Sequence, residues 1–418
     1  MKKLIEKHRC ELAYTIANYS TPIVTMISSG IAAAFIGPKE LGKINSLQLI
    51  VTYLSFLHLG VFNGLNRNLA FYKAQNRTEK VQDLVNASHT VATIASFIGF
   101  CVGIILISHF LLNGSDWVYR FSSVLVFISI TLNPMILHYD TTYRSGQHFS
   151  VLAKIIAIEN VIFGFLSFLP VYMGYFGKIF SGAIRAICKF LLRYKSQPQR
   201  ATGIGYLKDV IQLFKVGFPL LLGGYVWSVF IITDQTLIAR KLGPYSVGLY
   251  SLSTIIIGSI TIIPTSLSVV LYPKASALYG STKNNIGLRK FFWQALIINC
   301  LIIIPLVIVV YFLLVPITSY ILPKYVDGIE AAKINLLTCL TLISSGPSII
   351  LGVTKRNLPL IMAYLIGIVF IWIYSSMLPI ESLTIENIAW ARFAASLVIS
   401  MIIISYSYLI TFKAEFRE

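Results

Sequence analysis

Ionisable side chains inside apolar runs are the residues of this chain best able to do chemistry. Each is costly to place there, so it is either paired or used. The stretch from 175 to 193 carries Lys178, Arg185 and Lys189, spaced by seven and four residues. At roughly 100° per residue the three fall within about 40° of one helix face, with Arg193 slightly off the line. If that face borders a wet cavity, the stripe suits an anionic ligand such as a diphosphate or an acidic sugar. Arginine can grip phosphate through two parallel hydrogen bonds. The alternative is a short interfacial helix whose cations snorkel to headgroups.

Other charges are isolated. Asp234, in the run FIITDQTLIARKLG, could take up protons, bind a coupling cation, orient a neighbouring arginine, or simply pair with another helix. Lys241, seven residues on, lies on the same face but about 10 Å along the axis, too far for a direct pair. Arg392 enters an apolar run about one turn from its end and could snorkel. Glu159 lies about two turns into another run, where Lys154 could partly neutralise it. Arg67, after Asn63 and Asn66, serves equally well as a topology anchor or a headgroup contact. Asp140 and Arg144 are four apart, the spacing of a helix-surface ion pair. His58 reads as a hydrogen-bonded core residue rather than a proton relay.

The elements that position these residues are transmembrane helices. Of 418 residues, 56% are hydrophobic and 12% charged, against roughly 25% charged in soluble domains. Mean hydropathy is +0.77. Too few charges remain to cover a globular surface, so lipid must be the main solvent. The apolar runs are continuous rather than alternating, which excludes a β-barrel. Spans are predicted at 12–36, 44–66, 86–112, 119–139, 150–173, 175–193, 212–238, 247–271, 291–315, 332–352, 357–378 and 388–411. The fold class is all-α, with about twelve transmembrane helices. The apolar part of the first span is longer than a signal-peptide core, so an uncleaved first helix is expected.

The net charge of +18 invites a nucleic-acid reading, which location excludes. Basic residues sit in small groups between spans, with no basic domain. With the N-terminus in the cytoplasm, 24 of the 34 basic residues fall on that side. Among them are Arg67, Lys73, Arg77, Lys80, Lys283, Lys355, Lys413 and Arg417. Eight fall on the other face, and Arg185 and Arg392 lie inside spans. That bias sets both the span count and the orientation. Cys10, Cys101, Cys188, Cys300 and Cys339 are scattered, supporting neither disulfides nor a metal site. No Walker A run, GxGxxG, HExxH or GxSxG is present. No cofactor is expected, and any driving energy would come from an ion gradient, the membrane potential or the substrate gradient.

The chain also repeats. Residues 36–46 read IGPKELGKINS and residues 242–252 read LGPYSVGLYSL, an offset of 242 − 36 = 206. Six is an even number of spans, so the halves, 1–205 and 206–418, insert with the same orientation as a parallel repeat. Two six-helix lobes around a cavity suit alternating access.

Phe35 to Ser88 resembles the N-terminal part of Wzx-type polysaccharide flippases, members of the multidrug/oligosaccharidyl-lipid/polysaccharide exporter superfamily. The matching features are Gly37, Pro38 and Gly42, the Leu59-Gly60 pair with Asn63, and the loop ending EKVQDLVNAS. FPLLLGG, Asp234 and LGPYSVGLYSLS match in the second half. The resemblance implies movement of an undecaprenyl-diphosphate-linked O-antigen unit between leaflets of the bacterial inner membrane. It implies membrane lipids, a polysaccharide polymerase and a chain-length regulator as partners, and no enzyme activity. By analogy Arg185, Lys178, Lys189, Arg392 and Arg67 become substrate-binding candidates, and Asp234 and Glu159 coupling candidates. A multidrug or metabolite extruder of the same superfamily is the alternative. A polymerase or ligase enzyme of the same pathway is another, but would typically carry a large outer loop.

Overall fold

The computed structural model describes residues 2–282, 286–354 and 356–412. Lys283, Lys355, Lys413 and Arg417 of the basic loops lie outside them. The described residues are helical, with no strand among them. The helices are α1 (Lys2–Phe35), α2 (Pro38–Leu54), α3 (Val61–Ala74), α4 (Thr78–Leu112), α5 (Trp117–Ser145), α6 (Phe149–Leu166) and α7 (Leu169–Lys195). They continue as α8 (Leu207–Lys241), α9 (Pro244–Thr282), α10 (Ile286–Ile321), α11 (Ile329–Thr338), α12 (Ser345–Val353), α13 (Leu358–Met377) and α14 (Ile385–Phe412).

Two expected spans are broken. Between α2 and α3 a 3₁₀ turn, Ser55–His58, is followed by left-handed residues Leu59 (φ 46°) and Gly60 (φ 83°). The halves bend by 47°. Glycine is required at 60 twice over, since a Cβ there would also lie 2.6 Å from the Gly217 backbone. His58 is 9% exposed. Its Nδ1 accepts from Gly60 N at 3.2 Å, and its ring stacks on Phe62, as a core histidine would. Between α11 and α12 lies a second 3₁₀ segment, Cys339–Ser344.

Counting each broken pair once, the fourteen helices among the described residues make twelve helical passes in the order the sequence sets out. Nine are long and apolar enough to cross a membrane, ten with the bent pair. The remaining two are α1 and α7. This is a multi-pass membrane protein. The boundary between the fifth and sixth spans needs correction. The turn expected at 173–175 lies at Ser167–Phe168, where Pro170 opens α7 in the first-turn position proline favours. Gly174 (φ 51°, ψ −126°) breaks α7 internally instead of ending α6.

Packing divides the chain into two compact units. One takes residues up to Ile36 and Lys43–Tyr225, the other Gly37–Gly42 and the chain from Val226. This boundary falls inside α8, later than the loop at 205/206. The start of α8 stays with the first unit because Leu213 is buried in a core with Leu65, Leu69 and Leu84. Lys80 also pairs there with Asp209 at 2.5 Å. In the first unit α1 packs on α6, α4 and α7 on α5, and α6 on α7. Its apolar core is divided into several clusters. The second unit has one extended core running through Phe230, Leu237, Phe292, Ile350, Ile371 and Ile388.

The short piece 37–42 belongs to the second unit for a local reason. A Cβ on Gly42 would lie 1.7 Å from the Pro244 carbonyl oxygen, and one on Gly248 1.8 Å from that of Pro38. The two copies of the repeated turn therefore touch backbone to backbone. We expect Gly42→Ala or Gly248→Ala to destabilise the detergent-solubilised protein by about 1–3 kcal/mol through overpacking, read as a lowered thermal midpoint. Gly224→Ala, where a Cβ would meet nothing within 4 Å, should leave the midpoint unchanged or raise it.

Candidate functional site

In the first unit the cations of α7 meet the acids of α5 and α6. Glu159 on α6 is 3% exposed and Arg193 on α7 is 4% exposed. Arg193 donates to Glu159 Oε2 at 3.0 Å and, through Nε, to Asp140 Oδ1 on α5 at 2.7 Å. Lys189 Nζ reaches Glu159 Oε1 at 3.1 Å, and Arg185 Nε stands 4.0 Å from the same oxygen. One guanidinium thus joins three helices. Pairing is what makes the charges tolerable: an isolated ion in a low-dielectric interior costs several kcal/mol, and attraction offsets that only with good hydrogen-bond geometry.

Helix α1 completes the ring. Arg185 donates to Thr25 Oγ1 at 3.2 Å and lies 3.6 Å over the Phe163 ring. Its Nε is buried without a hydrogen-bond partner among the described residues. The helices enclose a cavity of about 240 Å³ whose polar wall is Tyr14, Asn18, Thr21, Asp140, Arg144, Glu159, Lys189 and Arg193. Three cations face two acids on that wall, and Arg185 adds a fourth cation one turn along α7. The surplus is positive, and both carboxylates already have cationic partners. An anion entering here meets nitrogen donors with spare hydrogen-bonding capacity.

Several sequence expectations change at this point. Asp140 and Arg144 do not form the i,i+4 ion pair. Arg144 Nε donates to the Asp140 backbone oxygen at 3.3 Å, while the Asp140 carboxylate goes to Arg193. Lys154 is exposed, so α7 neutralises Glu159 in its place. Lys178 sits farther along α7, half-buried, with no ion pair among the described residues. Arg67 is exposed on α3 and away from the cavity wall.

The second unit holds a separate pair. Arg392 on α14 is 5% exposed and Asp234 on α8 is fully buried. Arg392 donates to Asp234 Oδ2 at 2.5 Å and to the Ile231 carbonyl at 2.8 Å. Tyr250 on α9 donates to the same carboxylate oxygen at 2.7 Å, and Asn335 on α11 donates to the Tyr250 hydroxyl at 2.9 Å. Arg392 therefore does not snorkel. Inward pairing gives its Nη1 a carboxylate and a carbonyl, while its Nε is buried without a hydrogen-bond partner among the described residues. Lys241 donates to the Ser375 carbonyl, consistent with its separation from Asp234. The expected site residues thus fall into two groups, Glu159 with Arg185 and Lys189, and Asp234 with Arg392, with Lys178 and Arg67 outside both.

Arg193, Asp140, Tyr250 and Asn335 complete these groups but were not singled out as binding or coupling residues. The available signal was the number of acids in apolar runs, which could have been matched against the cations of α7. Spacing alone does not say which helices meet.

The described residues thus form a many-pass helical membrane fold with a cationic cavity in the first unit. Residues 11–278 match the family described as polysaccharide biosynthesis protein, and the chain belongs to that family. Among curated proteins, no relative matches. The fold is similar to that of an inward-facing multidrug resistance MATE family transporter of the MOP superfamily, with TM-score 0.68 and 14% identity, covering 95% of this chain and 98% of that one. It is also similar to the lipid II flippase MurJ in an inward closed conformation, with TM-score 0.71 and 15% identity over 94% and 87% of the two chains. A MOP superfamily transporter from Pyrococcus furiosus, described as having a binding pocket of reverse polarity, matches with TM-score 0.60 and 13% identity over 97% and 95%. At these identities the likeness concerns the fold alone. Family and fold together support the resemblance read from the sequence.

Breaking the buried pairs should be costly. Arg193→Met leaves two acids without their main partner, and a loss of about 3–5 kcal/mol is expected, read as a lowered thermal midpoint in detergent. Adding Glu159→Gln to Arg193→Met should recover part of it. Arg392→Met should behave alike, with Asp234→Asn as the restoring partner. Losses in the double variants equal to the sum of the two single-variant losses would show that the pairs do not interact.

Proposed function

We propose that the chain is a flippase that moves an undecaprenyl-diphosphate-linked oligosaccharide, such as an O-antigen repeat unit, from the cytoplasmic to the periplasmic leaflet of the bacterial inner membrane. The observation that carries this reading is the net-positive cavity of the first unit. A diphosphate is the charged part of such a cargo, and Arg144, Lys189, Arg193 and Arg185 supply donors suited to it. Membership of a polysaccharide biosynthesis family and a fold shared with a lipid II flippase are consistent with it.

The position of the cavity fits the direction of loading. Its wall comes from the C-terminal ends of α5 and α7, the N-terminal part of α6 and the N-terminal half of α1. These ends carry the basic loops, and the bias of basic residues supports a cytoplasmic position for them and for both chain termini. Cargo would enter from the cytoplasmic leaflet and leave by alternating access. Lys178, farther along α7, and Arg67, at the end of α3, are secondary candidates for contact with the charged head. Membrane lipids, a polymerase and a chain-length regulator are the expected partners. Coupling to an ion gradient through Glu159 would require loosening its pairs with α7, and coupling through Asp234 would require opening its pair with Arg392.

An extruder of cationic drugs, the alternative within the same fold, needs carboxylates free to meet a cation. Here Glu159, Asp140 and Asp234 are each held by arginine, which favours the anionic cargo. Deleting the gene in its host should strand lipid-linked single repeat units in the cytoplasmic leaflet and abolish the surface polysaccharide ladder. Complementation with Lys189→Glu should fail at normal protein level, and Lys189→Arg should restore the ladder. An intact ladder in a deletion strain without redundant flippases would refute the reading.

A further inference from the structure

A second cavity, of about 290 Å³, lies between α1 and α6 and is almost wholly apolar, lined by Val24, Ile27, Ile31, Val161, Gly164 and Phe165, among others. It continues the cationic cavity along the same two helices. On α1 the charged cavity uses Tyr14, Asn18 and Thr21, and the apolar one begins at Val24. On α6 the first ends at Glu159 and the second begins at Asn160. The two meet at one polar contact: Thr21, which lines the first, donates to Asn160 Oδ1, which lines the second, at 3.1 Å. Asn160 in turn donates to the Ala17 carbonyl at 3.1 Å and to Ser20 Oγ at 2.8 Å, so this sill is held by α1.

The apolar groove is open along its outer side. Ile27 is 51% exposed, Val161 59% and Phe165 76%. A Cβ on Gly164 would meet nothing within 4 Å, so the missing side chain leaves room rather than allowing a close helix approach. An amphiphile with an anionic head and a long apolar chain matches this sequence of surfaces: donors with a positive surplus, a polar sill, then an apolar trough open to the bilayer.

We infer that the α1–α6 groove seats the proximal isoprenoid units of a polyprenyl diphosphate while its diphosphate occupies the cationic cavity. The inference rests on the proposed reading of that cavity as the cargo-head site. It adds an entry route: the lipid slides in between α1 and α6 with its chain still in the bilayer, and only head and sugars leave the membrane surface. Commitment to a diphosphate lipid rather than a bulk phospholipid comes from charge, since a zwitterionic head would leave the excess cations unmatched.

The test uses the purified full chain in phosphatidylcholine nanodiscs, with inorganic diphosphate, farnesyl diphosphate and farnesol as probes in equilibrium binding. Wild type should bind farnesyl diphosphate on the order of tenfold more tightly than inorganic diphosphate, because the tail packs against the groove and adds contacts the free anion lacks. Gly164→Phe should remove that advantage and leave inorganic diphosphate binding unchanged. Val161→Trp, at a more exposed position, should do the same and guards against a folding defect in the first variant. A diazirine-bearing farnesyl diphosphate should crosslink to α1 and α6. Full farnesyl diphosphate affinity in both variants, or farnesol binding as tightly as farnesyl diphosphate, would overturn the groove assignment while diphosphate binding kept the cavity reading alive. Failure of wild type to bind inorganic diphosphate at all would overturn the cavity reading and the groove with it.

Discussion

A guanidinium taken out of water must be met by acid or carbonyl groups, and the first unit is organised around one that is. Arg193 reaches Asp140 on α5 and Glu159 on α6 from its place on α7. The pairing sets how those helices can approach, because sliding any of them would strand a charge in a low-dielectric interior. Tyr143, buried beside it, donates to the Arg193 carbonyl at 3.2 Å and fixes the end of α7 as well. Apolar packing in this unit is divided into several clusters, so registry depends more on the polar joint than it would in a continuous core.

The second unit uses the same chemistry to a different end. Asp234 and Arg392 are sealed, with Tyr250 and Asn335 extending the hydrogen-bond chain across α9 and α11. Around them lies an uninterrupted apolar core. One unit thus has ion pairs bordering a cavity, and the other has an ion pair closed inside a core.

The helical passes were legible because an apolar run of span length has few other uses. The breaks were less so: Leu59-Gly60 was visible as a pair, but not as the point where a span bends. Gly174 breaks α7 internally rather than closing α6, and the turn itself sits where Pro170 opens the next helix. On α7 the cationic face was readable from spacing, yet Arg193, slightly off the line, is the residue that holds the joint. It points toward α5, and nothing in the spacing of one helix says what stands beside it. For the same reason Arg392 looked interfacial. Its partner is 158 residues away in the chain, and a one-turn depth from a helix end is equally compatible with facing lipid or facing a neighbour.

The paired glycines at 42 and 248 bear on how the two copies of the repeated turn can drift apart. Between IGPKELGKINS and LGPYSVGLYSL only the first glycine, the proline and the second glycine stay the same. Each second glycine faces the carbonyl of the other copy's proline, so the constraint on it comes from its counterpart's main chain, which no substitution there removes. A change at one site cannot be compensated by a change at the other. The neighbouring positions carry no such obligation and have diverged freely. Steric exclusion between backbones thus accounts for one of the three identities the two turns share, the glycine pair at 42 and 248.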